Sequence, residues 1–174
     1  MGDAGKIETL SPAVPDRIER LTATLLERAD AAEVMLATAE SCTGGMLASL
    51  LTDVDGYGHV FDRGFVVYSE SAKCQLLGLA PEQVDRCGAV SRPVAVAMAE
   101  GALAASDAQV TLAITGFAGP GAPDDEPGLV HFACAREGRE TAHREEHFGD
   151  IGRGEVRRAC LGVALEMMIA ALGT

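Results

Sequence analysis

Residues 33–51 read EVMLATAESCTGGMLASLL, and this stretch decides the fold. The apolar run 33–39 predicts a short buried strand, and the apolar residues after Gly45 recur at helical spacing. Between the two lies a polar turn with two adjacent glycines, residues 40–45. A strand that passes through such a turn into a helix is typical of open α/β sheets, in which functional sites form beyond the carboxyl ends of the strands.

The same alternation of strand and helix continues along the rest of the chain. Further strands are predicted at 61–69, 110–115, 129–135 and 141–148, with a tight turn at 137–139 joining the last two. Helices are predicted from Ser11-Pro12 or Pro15-Asp16 to about Ala31, from Met46, around Lys73 to near Gly78, at 81–87, from Ser91 through Ala104, and at 155–172. Ser69 or Ser71 is expected to cap one helix and Ser91 another. The pattern predicts a three-layer α/β/α sandwich with a mixed, largely parallel sheet and a C-terminal hairpin.

Length and composition are those of a single-domain protein. The 174 residues fit one domain, 1–174, in which residues 1–12 are expected to be flexible. The five cysteines form no Cys-x-x-Cys pair, which predicts reduced thiols. No apolar run approaches the roughly 20 residues that cross a bilayer, and the start has no signal-peptide pattern, so a cytoplasmic location without membrane contact is expected. The net charge of −12 argues against nucleic-acid binding, although a single cleft can still be positive.

Ser41 is the sharpest candidate for chemistry. It lies between a predicted strand and a helix N-terminus and precedes Gly44 and Gly45, so its hydroxyl is expected beside backbone N–H groups that can bind an oxyanion or a phosphate. A serine hydroxyl is a weak nucleophile until a base removes its proton. No histidine is well placed nearby, and Lys73 is the economical base, provided that burial lowers its pKa well below the usual value of about 10.4. Tyr68 would relay the proton or hold the lysine in place.

The same residues also allow simpler interpretations. Ser41 could be a helix N-cap, and Lys73 a solvated helix residue. Cys42 could be the nucleophile, although a small buried thiol is favoured because no base is evident for it. His143 and His147 lie on one face of a predicted strand, where a surface pair is favoured over a metal site. No metal or other cofactor is predicted.

Five ordered segments together resemble the CinA C-terminal domain family over about residues 15–172. They are TAESCTGG (38–45), RGFVVYSESAK (63–73), GAVS (88–91), MAEGAL (98–103) and TGFAGP (115–120). Standalone members of that family are nicotinamide-nucleotide amidases, which convert nicotinamide mononucleotide and water to nicotinate mononucleotide and ammonia. The resemblance implies a Ser–Tyr–Lys catalytic set at Ser41, Tyr68 and Lys73, with no metal, and a homo-oligomer, a dimer being favoured. It also implies that backbone N–H groups around Cys42 to Gly45 bind the oxyanion. The implied substrate pocket is lined by Glu40, Cys42, Thr43, Gly44, Gly45, Thr115 and Gly116.

Two departures from the family pattern concern the substrate phosphate. The loop after Gly-Pro usually contains Lys-Pro-Val-Gly-Thr, whereas residues 126–129 here are Glu-Pro-Gly-Leu, with an acidic residue at the lysine position. Residues 149–157 are also longer than the usual Gly-Asp-Arg pattern, and Arg153 and Arg157 are the candidates to replace the missing cation. The alternatives to a nicotinamide-nucleotide amidase are a non-catalytic nucleotide-binding or regulatory module and an amidase for another small amide.

Overall fold

The computed structural model describes residues 14–120 and 122–173. The predicted flexible segment 1–12 and the predicted helix start at Ser11-Pro12 lie outside the described residues. The strands are β1 Leu36–Glu40, β2 Phe61–Val66, β3 Val110–Gly116, β4 Leu129–Arg136 and β5 Ala142–His147. The helices are α1 Asp16–Ala31, α2 Met46–Thr52, α3 Glu70–Leu77, α4 Pro81–Cys87, α5 Arg92–Ala104 and α6 Arg153–Leu172, with a short 3-10 turn at Gly58–Val60.

The strands form one five-stranded mixed sheet in the order β2-β1-β3-β4-β5. Strands β1, β2 and β3 are parallel. Strand β4 runs antiparallel to β3, and β5 pairs with β4 as the predicted hairpin. The predicted sandwich with a largely parallel sheet and a C-terminal hairpin is therefore confirmed.

The cores on the two faces of the sheet differ in the size of their side chains. On one face, large side chains such as Leu25, Leu47, Leu112 and Phe132 pack between the sheet and helices α1, α2 and α6. On the other face, α5 packs closely on β3 and β4 through a core rich in alanine, which includes Ala95, Ala99, Ala102, Ala113 and Ala133. Short side chains bring helix and sheet close together, and this explains how a chain with few aromatic residues closes its interior.

Some ends of the helices and strands agree with the sequence predictions, and two differ from them. Ser69 caps α3 by accepting a hydrogen bond from the Ala72 N–H (3.1 Å), as predicted. The capping prediction for Ser91 is wrong, because its hydroxyl donates to the Gly88 carbonyl (3.0 Å) and no side chain caps α5. Strand β1 begins at Leu36 rather than at Glu33, since α1 ends in a left-handed turn at Glu33 (φ 53°).

Within the described residues, no helix combines the length and apolarity needed to span a membrane.

Candidate active site

Ser41 directly follows the carboxyl end of β1, next to the centre of the sheet. Its N–H donates to the Ile114 carbonyl of β3 (2.9 Å), which continues the pairing of β1 with β3 by one residue. The chain then reverses through Gly44 (φ 61°) and Gly45 (φ 92°), and Gly45 is the N-cap of α2. Left-handed backbone of this kind favours glycine, which explains the adjacent pair. Ser41 is therefore not the N-cap of α2, and its hydroxyl is available for other contacts.

The Glu40 side chain stabilises this turn from the interior of the protein. Its carboxylate is fully buried and accepts hydrogen bonds from the N–H groups of Gly45 (3.1 Å), Leu47 (3.1 Å) and Ala48 (2.8 Å). These are the donors at the start of α2 that have no partner within the helix. The structure thus places Glu40 under the site rather than in the pocket that the resemblance implied.

Lys73 reaches the Ser41 hydroxyl from α3. Its Nζ lies 3.1 Å from Ser41 Oγ and donates to the Val67 carbonyl at 3.1 Å. Both side chains are buried, Lys73 being 1 % exposed and Ser41 7 %. A neutral amine in this position can donate to the Val67 carbonyl and accept the Ser41 proton through its lone pair. The structure therefore brings together the serine and the lysine that sequence reasoning paired.

Burial changes the protonation of Lys73. Loss of hydration lowers the pKa of this lysine, and the acidic groups near it, Cys42 and Glu70, oppose the change only in part. A charged amine is poorly solvated inside a protein, so the neutral form is favoured relative to a lysine in water. Since only the neutral amine can accept a proton, this shift is in the direction that a general base requires.

Tyr68 and Arg153 lie at the mouth of the site. Tyr68 is 66 % exposed, and its hydroxyl accepts a hydrogen bond from the Arg153 guanidinium (3.2 Å). Among the described residues, the Tyr68 hydroxyl has no hydrogen bond to Ser41 or Lys73. Its predicted role as a proton relay stays a prediction, and the contact with Arg153 is one that the sequence did not indicate.

Arg157 acts on the backbone of the turn. Its guanidinium donates to the Thr43 carbonyl (2.7 Å) and lies against Gly44, where an added Cβ would stand 3.4 Å from it. The hydroxyl of Thr43 is buried without a partner, as is Nε of Arg157. The structure thus joins α6 to the turn through Arg157, whose predicted contact with a phosphate stays a prediction.

A cavity of about 260 Å³ opens above Ser41 and Lys73. Seven of the predicted site residues line it, namely Ser41, Cys42, Tyr68, Lys73, Thr115, Gly116 and Arg153. Glu40, Thr43, Gly44, Gly45 and Arg157 do not line it; they lie in or behind the turn. Sequence reasoning missed Ala89 and Val90 as lining residues, and the Thr115 hydroxyl ties the two walls together by donating to the Ala89 carbonyl (2.8 Å).

A larger cavity of about 660 Å³ lies near the start of β3, away from Ser41. Its lining includes Glu100, Asp107 and Glu137. Such an acidic lining disfavours an anionic ligand, so the smaller cavity is the better candidate for binding a phosphate ester.

Cys42, the other potential nucleophile, is turned towards α6. It is 5 % exposed and lies in the same buried cluster as Cys160 of α6. The neighbouring thiol and burial both raise the pKa of Cys160, whereas for Cys42 the neighbouring thiol lowers the pKa and burial opposes the change. All five cysteines are free thiols.

Comparison with known proteins identifies a family and several relatives of this chain. The family model described as the CinA C-terminal domain matches residues 18–172. The chain is 46 % identical over 134 residues to "Nicotinamide-nucleotide amidohydrolase PncC" of Escherichia coli, covering 75 % of this chain and 80 % of that protein. It is 40 % identical over 147 residues to a "CinA-like protein" of Leptospira borgpetersenii, covering 82 % of this chain but 34 % of that protein.

The solved structures agree with the sequence relatives. The structure of the competence/damage inducible protein CihA from Agrobacterium tumefaciens is similar, with a TM-score of 0.87 and 44 % identity over 90 % of this chain and 96 % of that one. Several curated relatives are much longer, and the chain spans between 25 % and 34 % of their length.

Proposed function

Because the chain belongs to the CinA C-terminal domain family, we propose that it is an amidohydrolase that converts nicotinamide mononucleotide and water to nicotinate mononucleotide and ammonia. The similarity to the nicotinamide-nucleotide amidohydrolase of Escherichia coli supports this substrate. The observation that carries the proposal is the buried contact between Lys73 Nζ and Ser41 Oγ at 3.1 Å, at the floor of the cavity.

The proposed reaction begins with a proton transfer. Lys73 takes the proton of the Ser41 hydroxyl, and Oγ attacks the carboxamide carbon to form a tetrahedral oxyanion. When the C–N bond breaks, Lys73 returns the proton to the departing nitrogen, which leaves as ammonia. Water then loses a proton to Lys73 and attacks the acyl ester, and Ser41 recovers its proton as nicotinate mononucleotide is released.

The turn after Ser41 supplies the proposed oxyanion donors. The Gly44 N–H donates to the Ser41 carbonyl (3.1 Å) and the Gly45 N–H to Glu40, so these two groups, expected from sequence to take part, are already used. Among the described residues, the N–H groups of Cys42 and Thr43 donate to no other residue's backbone carbonyl. They are the donors that we propose, and removal of one such donor typically costs about 3–4 kcal/mol of transition-state stabilisation.

Arg153 is the cation that we propose for the substrate phosphate. It lines the cavity and is the first residue of α6, whose N-terminus also attracts negative charge. Glu126, at the position of the family's lysine, forms an ion pair with His147 (2.7 Å) and so lies turned towards β5. Arg157 binds the Thr43 carbonyl and is proposed to position the turn.

The decisive experiment measures ammonia release from nicotinamide mononucleotide by the purified chain. Ser41→Ala is expected to lower kcat by at least about a thousandfold with little change in the thermal midpoint, because the hydroxyl makes no contact that the fold requires. Cys42→Ala is the matched control on the neighbouring residue and is expected to keep most of the activity.

The same assay separates the alternatives. Binding of the nucleotide by the wild-type chain without ammonia release would support a non-catalytic module. Turnover of another amide in a substrate panel, with none of nicotinamide mononucleotide, would support an amidase of different specificity. An inactive Cys42→Ala beside an active Ser41→Ala would transfer the nucleophile to the thiol.

A second test addresses the phosphate. Arg153→Ala is expected to raise KM about tenfold or more while changing kcat much less, because the contact is made equally in the ground state and the transition state. Steady-state kinetics with nicotinamide mononucleotide and with nicotinamide riboside, which lacks the phosphate, measures this effect. A KM for the nucleotide that Arg153→Ala leaves unchanged would remove this residue from the phosphate site.

A further inference from the structure

Two histidines and a glutamate meet on the C-terminal hairpin, outside the cavity described above. His131 of β4 is directly opposite Glu145 of β5 in the sheet register, and His143 of β5 is opposite Ala133. Residues directly opposite one another in an antiparallel pair, and residues two apart on a strand, share one face. Ala133 belongs to the core under α5, so the three side chains lie on the α5 face of the sheet.

Two of the distances within this cluster are close to those between neighbouring ligands of one small cation. His131 Nδ1 lies 3.1 Å from His143 Nε2 and 3.3 Å from Glu145 Oε2. One atom from each of the three residues lies within 4.8 Å of the others. Zn²⁺ binds histidine nitrogen and carboxylate oxygen at about 2.0–2.2 Å in tetrahedral sites, which separates neighbouring ligand atoms by about 3.3–3.5 Å.

The cluster is partly shielded from solvent. His131 is 6 % exposed, and its ring is stacked with that of His143, the ring centroids lying 5.4 Å apart.

A fourth side chain orients the carboxylate. His147 Nε2 is 2.9 Å from Glu145 Oε1, while its Nδ1 is 2.7 Å from Glu126 Oε1. His147 thereby occupies one oxygen of Glu145 and leaves the other, Oε2, directed at His131. Partners of this kind, which fix a ligand without touching the ion, are a common part of metal sites.

We propose that His131, His143 and Glu145 form a binding site for one divalent transition-metal ion of the Zn²⁺ type, with His147 as a positioning residue. Two neutral imidazoles and one carboxylate are a donor set that suits Zn²⁺, and three protein ligands leave one coordination position for water. The site joins edge strand β5 to β4, so a bound ion stabilises the hairpin. Sequence spacing pointed to His143 and His147 as a surface pair, whereas the closest ring to His143 is His131 on the neighbouring strand.

The test uses untagged chain, stripped with a chelator and reduced, with Zn²⁺ or Co²⁺ alone as the probe. Calorimetry with Zn²⁺ is expected to give one ion per chain, and Co²⁺ is expected to give visible absorption without the charge-transfer bands of thiolate ligands. His131→Ala and His143→Ala are each expected to weaken binding at least about a hundredfold, and His147→Ala about tenfold. His59→Ala is the matched control, because His59 is exposed and paired with Asp30 in a different part of the chain.

Three outcomes would overturn the proposal. They are the absence of binding by the wild-type chain, binding that His143→Ala leaves unchanged, and thiolate bands that assign the ion to cysteine. His143 is only partly buried, so His143→Ala and His143→Gln are expected to keep the fold, which circular dichroism without metal checks. The binding measurement needs no amide substrate, so its result is independent of the proposed hydrolase activity.

Discussion

At the scale of single residues, Lys73 is the site residue whose burial is least favourable for the stability of the fold. It is among the largest fully buried side chains, and it is placed among apolar neighbours where its charge is poorly hydrated. Burial lowers the pKa of Lys73 in the folded chain, whereas the unfolded chain keeps the usual value of about 10.4. The folded state therefore loses stability from this lysine near neutral pH, and such a loss is a common feature of active sites.

Lys73→Met is expected to abolish ammonia release and to raise the free energy of unfolding by about 1 kcal/mol at neutral pH. Between the lowered folded pKa and about 10.4, the unfolded wild-type chain binds more protons than the folded one, so wild-type stability rises with pH in that window. The advantage of the methionine variant should thus shrink as the pH approaches 10.4. Urea unfolding of both chains between pH 7 and 10 measures the difference. A methionine variant less stable than wild type at pH 7 would contradict this account of Lys73.

A serine nucleophile requires a base, and this requirement predicted the pairing of Ser41 with Lys73. It could not predict where each neighbouring side chain points. Glu40 was expected in the pocket, and its carboxylate instead faces the start of α2. The contact of Tyr68 with Arg153 joins residues far apart in sequence, and no local sequence pattern indicates it. The contact between Ser41 and Lys73 was therefore predictable from sequence, whereas the contacts of Glu40 and of Tyr68 were not.

At the scale of elements, α2 is a short helix that depends on Glu40. Gly45 supplies no side-chain cap, and α2 is seven residues long, too short to be stable by its own propensity. The Glu40 carboxylate, with its three backbone contacts, is what satisfies the first N–H groups of this helix.

Glu40→Gln is expected to lower the free energy of unfolding by about 2–3 kcal/mol, since the amide loses the charge and sets an N–H₂ group against backbone donors. Denaturant unfolding measures this loss. Glu27→Gln is the matched control, because Glu27 is exposed on α1, and it should change stability by less than about 0.5 kcal/mol. Equal stability of the two variants would mean that Glu40 does not hold the turn, and its predicted place in the substrate pocket would regain weight.

Element positions were predicted well where burial and periodicity agree. The run 110–115 is almost the whole of β3 because the strand is buried on both faces, and Pro81 marks the start of α4. The ends were missed where the backbone alone decides them. Glu33 adopts a left-handed conformation that is rare for residues other than glycine, and α6 begins at Arg153 rather than at Glu155.

At the scale of the whole molecule, the two edges of the sheet differ in character. Edge strand β5 carries His143, Arg144, Glu145 and Glu146, and charged side chains on an edge oppose pairing with another sheet. On the other edge, Val66 ends β2 and is 51 % exposed, and Tyr68 follows at the mouth of the cavity and is 66 % exposed. Among the described residues, four large apolar or aromatic side chains are exposed, and two of them, Val66 and Tyr68, lie at this edge beside the site. We therefore expect the homo-oligomer that the family resemblance implies to form its contact here.

We therefore expect a homodimer that covers Val66, and Val66→Asp should shift it to monomer by burying a charge in the contact. Light scattering on the eluting protein over a range of concentrations measures the mass. Leu76→Asp is the matched control, because Leu76 is equally exposed (52 %) but lies on α3, and it should leave the dimer intact. Since the contact lies beside Tyr68, the monomeric variant should also show a raised KM for nicotinamide mononucleotide. A wild-type monomer at every concentration, or a monomer produced by Leu76→Asp alone, would exclude the β2 edge as the dimer contact.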